Sequence, residues 1–298
     1  MNYVKKIFRP IKNYIYGKIP DKVFAKIMFR IRIGYDLNLD NPKSYNEKIQ
    51  WLKLNDRTPL HTICADKYKV RDFVKDRIGK EYLIPLFLET KKIEDIKPEN
   101  MPDEPIVIKT NHDSGTVFII RDKSNANWEL IREKIKKALS NNYYGITKEW
   151  QYKDIEPRII VEKLLTDDMG RIPSDVKIFC SDGEPKFMLL CLDRETGVKF
   201  VHLTMDFEIM PFFSNGQSFD MNSLNITPPQ NLDLMLDLAK RLSKGLKHAR
   251  VDFFNINGQI YFGEITFHDS SGFMKIDPLD WDYKLGEFVN INHKKRNC

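Results

Sequence analysis

Two acidic residues set inside apolar runs near the C-terminus are the chemistry-bearing feature of this chain. Asp252 lies in Ala249-Arg250-Val251-Asp252-Phe253-Phe254-Asn255, and Glu264 lies in Gln259-Ile260-Tyr261-Phe262-Gly263-Glu264-Ile265-Thr266. Both runs are rich in β-branched and aromatic residues. With Ile256-Asn257-Gly258 between them they predict an antiparallel hairpin. A carboxylate in a half-buried strand is costly unless a cation compensates it. Arg250 stands beside one of them, and His268 and Asp269 follow the other. Two such carboxylates brought together point to a metal–nucleotide site, with hard oxygen ligands suited to Mg²⁺.

Further cations lie upstream. Lys109 ends the apolar run Pro105-Ile106-Val107-Ile108-Lys109-Thr110 and opens the small polar loop Asn111-His112-Asp113-Ser114-Gly115-Thr116, which returns along Val117-Phe118-Ile119-Ile120. Such a loop offers backbone N–H groups to a phosphate, and Gly115 permits close approach. Taken alone it reads as an ordinary hairpin turn, and no GxxxxGK[ST] phosphate loop is present. Lys67 is a second cation able to neutralise phosphate. Glu162, with the backbone of Lys163 and Leu165, could form a hinge that reads an adenine edge. Each of these groups, by itself, is more often a structural ion pair.

The elements that must position these residues follow from periodicity. The spacing predicts short helices over 45–54 and 65–74, the latter ending around Gly79, and an edge strand over 82–88, where Pro85 cannot donate to a ladder. A helix over 127–141 directs Leu130, Ile131, Ile135, Ala138 and Leu139 inward. Strands follow over 158–165, 175–180, 186–192 and 200–204, then a turn-rich excursion over 211–230 and a helix over 232–246.

The whole chain is 298 residues, 42% hydrophobic and 30% charged, the composition of a globular protein with a substantial core. Its four cysteines show no CxxC spacing, which suggests reduced thiols in a cytoplasmic protein. No apolar run is long enough to span a membrane, and no signal peptide is recognisable. Residues 1–32 carry nine basic side chains against Asp21, leaving a net −2 of the total +6 for the rest of the chain. That distribution argues against a nucleic-acid partner. Val4, Ile7, Ile11 and Ile15, and then Phe24, Ile27, Met28 and Ile31, fall at helical spacing. This predicts a basic amphipathic helical segment over 1–60 that either packs on the domain or lies, through residues 1–32, on the inner face of an anionic membrane.

The order of these features resembles the ATP-grasp superfamily. The pieces that match are Asp66-Lys67, Ile106-Val107-Ile108-Lys109 with its loop, Ile160-Val161-Glu162-Lys163, and Arg250-Val251-Asp252 followed by Gly263-Glu264-Ile265-Thr266. More closely, the chain resembles the TupA-like ATP-grasp family of cell-surface polysaccharide and teichuronopeptide biosynthesis. The stretches Asn46-Glu47-Lys48-Ile49-Gln50-Trp51-Leu52-Lys53, Asp66-Lys67-Tyr68-Lys69-Val70-Arg71, Lys109 to Gly115 and Phe262 to Phe267 carry that likeness, which covers roughly residues 40–290. The resemblance implies an α+β ATP-grasp fold over 61–298, with two α+β lobes clasping ATP: a small lobe of about 103–165 and a large lobe of 61–102 with 166–290. It implies that Lys67 and Lys109 contact phosphates beneath the loop of His112, Asp113, Ser114 and Gly115. Glu162, Lys163 and Leu165 would line the adenine pocket, and Asp175 would reach the ribose. Asp252, Glu264 and Thr266 would serve Mg²⁺, and Arg250, with Lys109, would act on the transferring phosphoryl group. Many members place an asparagine where this chain has Thr266.

The activity so implied is an ATP- and Mg²⁺-dependent carboxylate–amine ligase acting through an acyl phosphate, with a sugar acid or amino acid as carboxylate. His112, His268 and Asp269 stand near enough in the motifs to meet the acceptor. Three other readings stay open. A glycosyltransferase would use Asp280-Trp281-Asp282, although a solvated turn explains that motif better. The others are a phosphotransferase that stops after γ-phosphate transfer and a nucleotide-binding scaffold without turnover.

Overall fold

The structure, a computed structural model, describes residues 17–291. The chain separates into two compact units. One is Thr58–Arg171 with the residues just before Pro20, and the other is Pro20–Arg57 together with the chain from Ile172 onward. The Thr58–Arg171 stretch is therefore inserted into the sequence of the second unit.

Helices α1 (Asp21–Ile33) and α2 (Tyr45–Asn55) open the second unit. Helix α1 buries Phe24, Ala25, Met28 and Phe29 and ends at the left-handed Gly34. Of the four apolar residues read from its spacing, Phe24 and Met28 face inward, whereas Ile27 and Ile31 are 48% and 70% exposed. Helix α2 starts at a capping box: Ser44 Oγ accepts the Glu47 amide, and the Glu47 carboxylate accepts the Ser44 amide. That exchange satisfies two amide groups a helix start otherwise leaves without partners.

The chain then builds the first unit from α3 (Pro59–Ala65), α4 (Val70–Arg77), β1 (Leu86–Thr90), β2 (Ile106–Thr110), β3 (Val117–Ile120), α5 (Trp128–Leu139), α6 (Tyr143–Thr147) and β4 (Ile159–Lys163). The strands form one antiparallel sheet in the order β1-β4-β2-β3. Strand β1 is an edge of the sheet, but it begins only after Pro85; Lys80–Tyr82 form a single 3₁₀ turn. Ile106, Ile108, Ile159 and Val161 alternate onto the face covered by Ile131 and Ile135 of α5. Leu130, expected inward, is 42% exposed because only one stripe of α5 meets the sheet. The pairing of β1 with β4 also corrects the lobe boundary. Residues 61–102 belong with the four-stranded sheet, not with 166–290, because the ladder ties Thr90 to Ile159 and Leu86 to Glu162. Residues 20–57, read as part of a separate N-terminal segment, belong to the second unit. The helical pattern expected from Val4 to Ile15 lies outside the described residues.

The second unit resumes with β5 (Asp175–Ser181), β6 (Glu184–Leu192), β7 (Lys199–Leu203), β8 (Phe213–Ser214), α7 (Leu232–Ser243), β9 (His248–Ile256), β10 (Gln259–Thr266), β11 (Ile276–Asp277) and α8 (Asp280–Glu287). Its main sheet is antiparallel in the order β10-β9-β5-β6-β7, with β8 and β11 paired beside it. Helix α7 packs on β5, β6 and β9, burying Met235, Leu238, Ala239 and Leu242. On the other face, Tyr45 of α2 meets Phe179 and Phe187, whose rings stack at 4.2 Å, in a core completed by Leu285 and Val289. Strand alternation then puts Asp175 and Lys177 on the same face as Phe179, and the ladder sets Lys177 opposite Asp252 and Phe179 opposite Arg250.

Candidate active site

The predicted hairpin forms as β9 and β10, and its two carboxylates meet. Glu264 pairs directly with Asp252, and Thr266 with Arg250. The ladder slips between Phe262 and Glu264, so Gly263 is an extra residue. Before the slip Phe262 pairs with Phe253; after it Glu264 pairs with Asp252, one step along β9 but two along β10. The bulge therefore switches which β10 residues share a face, and it turns Glu264 toward the side that carries Arg250 and Asp252. A Cβ at position 263 would come within 3.1 Å of the Asp252 carbonyl oxygen, so glycine suits the close approach.

Arg250 is the centre of this face. Its Nε donates to Asp252 Oδ1 at 2.7 Å, and Nη2 donates to Asp252 Oδ2 at 2.8 Å, to Glu264 Oε1 at 2.7 Å and to Thr266 Oγ1 at 3.1 Å. Nη1 donates to Asp269. Thr266 Oγ1 in turn donates to Glu264 Oε1 at 3.0 Å. Lys177 reaches Asp252 and also Asp175, the latter at 2.6 Å, and Arg194 lies 3.0 Å from Asp175. Burial opposes the Arg250 charge, but Asp252, Asp269 and Glu264 outweigh it and hold the guanidinium well above its ordinary pKa. Burial likewise works to discharge Lys177; Asp252, and then Asp175, reverse the sign and keep the ammonium charged.

This is the compensation that the buried carboxylates require, and it comes from two cations. Lys177 was not singled out as a site residue. The available signal was a lysine between Val176 and Ile178 in an otherwise apolar strand, two residues from an acid. Asp175, expected at a ribose, meets Lys177 and Arg194 instead.

Among the described residues, no group of three or more His, Cys, Asp or Glu side chains is arranged to hold a metal ion by itself. The donor set nevertheless fits Mg²⁺, which takes one or two protein carboxylates and completes its shell with phosphate and water. Asp252 and Glu264 supply two carboxylates on neighbouring strands, and the Glu264 side chain is 42% exposed.

The first unit assembles a second set. Lys109 Nζ lies 2.6 Å from Glu162, and Arg71 approaches the same carboxylate at 3.1 Å while donating to the Ile84 carbonyl. Glu162 is thus a buried anion between two cations. Lys67 Nζ donates to the Asp113 carbonyl and so meets the 111–116 loop. The loop is shaped by its own side chains: Thr110 and Thr116 hydroxyls both donate to the Asp113 carboxylate. Asn111 anchors its base, donating to Asp66 Oδ1 and the Glu156 carbonyl and accepting the Arg158 amide. Ser114 and Gly115 are exposed at the tip, where Gly115 has φ +106°. His112 departs from expectation. It is buried, and its Nε2–H donates to the Ala138 carbonyl at the end of α5, which makes it a tie between loop and helix. Lys163 is solvated and paired with Glu104, and Leu165 is buried.

Asp280-Trp281-Asp282 is not a solvated turn. It starts α8, and Asp282 is fully buried, accepting from the Tyr35 hydroxyl and the Asn46 amide. A carboxylate so engaged is a structural acceptor, which removes the motif that favoured a glycosyltransferase.

An α+β chain with a lysine-fed loop in one unit, and a cation-bridged pair of carboxylates on a sheet hairpin in the other, has the parts of an ATP-grasp protein. The family comparison agrees: the TupA-like ATP-grasp model matches residues 47–290, and the chain belongs to that family. No curated protein matches the chain in sequence. Among solved structures it is similar to the D-alanine–D-alanine ligase of Bacillus anthracis complexed with ATP (17% identity, TM-score 0.39, 76% of this chain and 57% of that one). It is also similar to the ATP-grasp ligase PsnB complexed with its minimal precursor (13%, 0.42, 74% and 58%) and to the L-amino acid ligase of Bacillus licheniformis (12%, 0.45, 85% and 56%). The chain spans less than two thirds of the length of each of these three.

Proposed function

We propose that the protein is an ATP- and Mg²⁺-dependent carboxylate–amine ligase working through an acyl phosphate, with a sugar acid or amino acid of cell-surface polysaccharide biosynthesis as its carboxylate substrate. The observation that carries this reading is the Arg250 network, a fully charged guanidinium fixed between the facing carboxylates of Asp252 and Glu264. Family membership supplies the class of chemistry.

In this reading a substrate carboxylate oxygen attacks the γ-phosphorus, the bond to the β,γ-bridging oxygen breaks, and ADP departs. The amine then attacks the acyl carbon, phosphate leaves, and the amine proton passes to solvent. Mg²⁺ held by Asp252 and Glu264 would neutralise charge on the nucleotide phosphates. Thr266 fixes the Glu264 carboxylate by its hydrogen bond. Lys67 and Lys109 bring positive charge to phosphate, and Arg250 stabilises charge on the transferring group. Burial pushes the Asp252 carboxyl up, and Arg250, then Lys177, oppose that push. The test is direct: purified protein with Mg-ATP and pooled uronic acids, amino acids and amines is followed for ADP and phosphate. Release of both with one carboxylate–amine pair supports the ligase. ADP with a phosphorylated product and no phosphate would indicate a phosphotransferase, and release of a nucleoside diphosphate from a sugar nucleotide would indicate a glycosyltransferase.

The same reading puts the enzyme at an anionic membrane surface on its cytoplasmic side. No helix of the described residues is long and apolar enough to cross a membrane. What supports surface attachment is α1, where Val23, Ile27 and Ile31 form an exposed apolar ridge beside the exposed Lys22, Lys26 and Arg30. The full chain should co-sediment with vesicles containing phosphatidylglycerol, and Ile27→Glu should abolish this. Equal recovery on neutral phosphatidylcholine would count against attachment.

A further inference from the structure

Helix α2 carries an unusual set of buried polar residues. Asn46, Gln50 and Lys53 are all fully or almost fully buried, on a helix whose Ile49 and Leu52 already supply its apolar contact. All three reach the segment that follows β10. The Asn46 side-chain amide donates to the Met274 carbonyl at 2.9 Å and accepts the Met274 amide at 2.8 Å. Gln50 Nε2 donates to the carbonyls of Ser271 and Gly272 at 2.9 and 2.8 Å, and Lys53 Nζ donates to the Ser271 carbonyl at 2.8 Å. Lys53 also sits over the Phe273 ring at 4.7 Å.

The segment so held is strained. Ser270, Ser271 and Gly272 have φ of +49°, +56° and +71° in succession. Residues other than glycine rarely adopt this region, and they persist there only where the surroundings fix them. The fixing groups are visible. Gln50 makes its two donations although its buried Oε1 has no hydrogen-bond partner, and a Cβ on residue 272 would come within 2.8 Å of Gln50 Nε2. Immediately before the turn stands Asp269, whose carboxylate accepts from Arg250 Nη1.

We infer that Gln50 and Lys53 are positioning residues for Arg250: by clamping the left-handed turn 270–272 they set Asp269, and Asp269 sets the direction of the guanidinium. Asp252 is fixed in its strand and Glu264 is half-solvated, so Asp269 is the partner whose placement depends on a loop. Lysine and glutamine serve this task because backbone carbonyls take only donors, and these side chains are long enough to deliver N–H groups from a helix flank. Lys48, on the same helix, does a different job; it donates to the carbonyls of Gly286 and Val289 near the end of α8.

The consequence for activity rests on the ligase reading, but the positional claim does not, and the experiment separates them. In ¹⁵N-labelled full-length protein the Arg250 Nε–H resonance is identified by its loss in Arg250→Lys. Its hydrogen exchange should accelerate at least tenfold in Lys53→Met and in Gln50→Leu, and Lys53→Arg should restore it. Lys48→Met should lower the melting temperature by a similar amount and leave the resonance unmoved. In the same variants kcat should fall at least tenfold with KM for ATP changed less than threefold, while Lys48→Met keeps the wild-type kcat. Unchanged Arg250 exchange in both Lys53→Met and Gln50→Leu, or an equal change in Lys48→Met, overturns the inference. An expected shift of Arg250 in a protein that turns over no carboxylate–amine pair leaves the clamp standing and removes the ligase.

Discussion

Glu264 lies directly across the ladder from Asp252 only because the two strands slip by one residue at Gly263. In an unbulged hairpin Phe262 and Glu264 would share a face, and that face is the one with Phe253, against α7. The metal-type pair is therefore produced by a backbone irregularity. Its two members also stand in different surroundings, since Asp252 is buried between two cations and Glu264 is partly in water.

That difference makes Glu264→Gln the cleaner probe. Glutamine keeps the shape and can accept from Arg250 and Thr266. Removing one half-exposed charge should change stability by under about 1 kcal/mol. Mg-ATP turnover should nevertheless drop on the order of a hundredfold, as for loss of a group that stabilises transition-state charge. Normal turnover across a magnesium titration would show that Glu264 is not a metal-side ligand.

Asp252→Asn should cost both stability and activity. It leaves Arg250 and Lys177 without the carboxylate that holds each of them. Breaking a buried pair by removing one partner typically destabilises by about 3–5 kcal/mol. The urea midpoint should fall clearly below that of Glu264→Gln. Indistinguishable midpoints would mean that Asp252 is not the counter-ion of the two cations.

Lys109→Met should weaken ATP binding. Glu162 keeps Arg71 as a partner, so the sheet survives, but one charged donor toward phosphate is lost. Hydrogen bonds to charged groups contribute about 1.5–3 kcal/mol, or about ten- to a hundredfold in Kd. Calorimetric titration with a non-hydrolysable ATP analogue measures this, and an unchanged Kd would sink the assignment.

Acid should destabilise the second unit through two buried histidines. Burial pushes His202 down to about 3, and burial, with His268 and Arg250, does the same to His248, each from an ordinary value of 6.5. Both are neutral when folded. Below pH 6.5 the unfolded chain takes up protons that the folded chain refuses, so stability present at higher pH is lost as pH falls toward 3. Each histidine contributes a loss of about 2 kcal/mol between pH 7 and pH 5. The His202 ring lies 4.3 Å from that of Phe212, tilted by 34°, and His202→Phe should flatten the decline by that amount. A slope identical to wild type would show that His202 takes up its proton at the same pH in the folded and the unfolded chain.

The hairpin was legible in the sequence because alternation and an Asn-Gly turn are local signals. The face on which Glu264 ends was not, because a bulge changes parity without changing composition. Lys109 was read as a phosphate lysine and Glu162 as an adenine reader. Their mutual pairing needs β2 and β4 to be neighbours, which fifty intervening residues conceal. A second long-range pairing, β1 with β4, places residues 61–102 with the four-stranded sheet, and local sequence conceals it equally. Asp282 was misjudged for a similar reason. Pro278 nearby signals a turn, whereas the partners that bury Asp282, Tyr35 and Asn46, lie more than two hundred residues away.

The insertion of Thr58–Arg171 within the other unit sets an order of events during synthesis. All four strands of the inserted sheet are synthesised before any strand of the five-stranded sheet. Helix α2 is made early, yet Met274, which Asn46 brackets, is made 228 residues later. At cellular elongation rates that delay is on the order of 10–50 s. Through that interval Asn46, Gln50 and Lys53 have only water to bond. The inserted unit can thus fold as it emerges, whereas the unit that carries Arg250 must close its chain after nearly all of it has been translated.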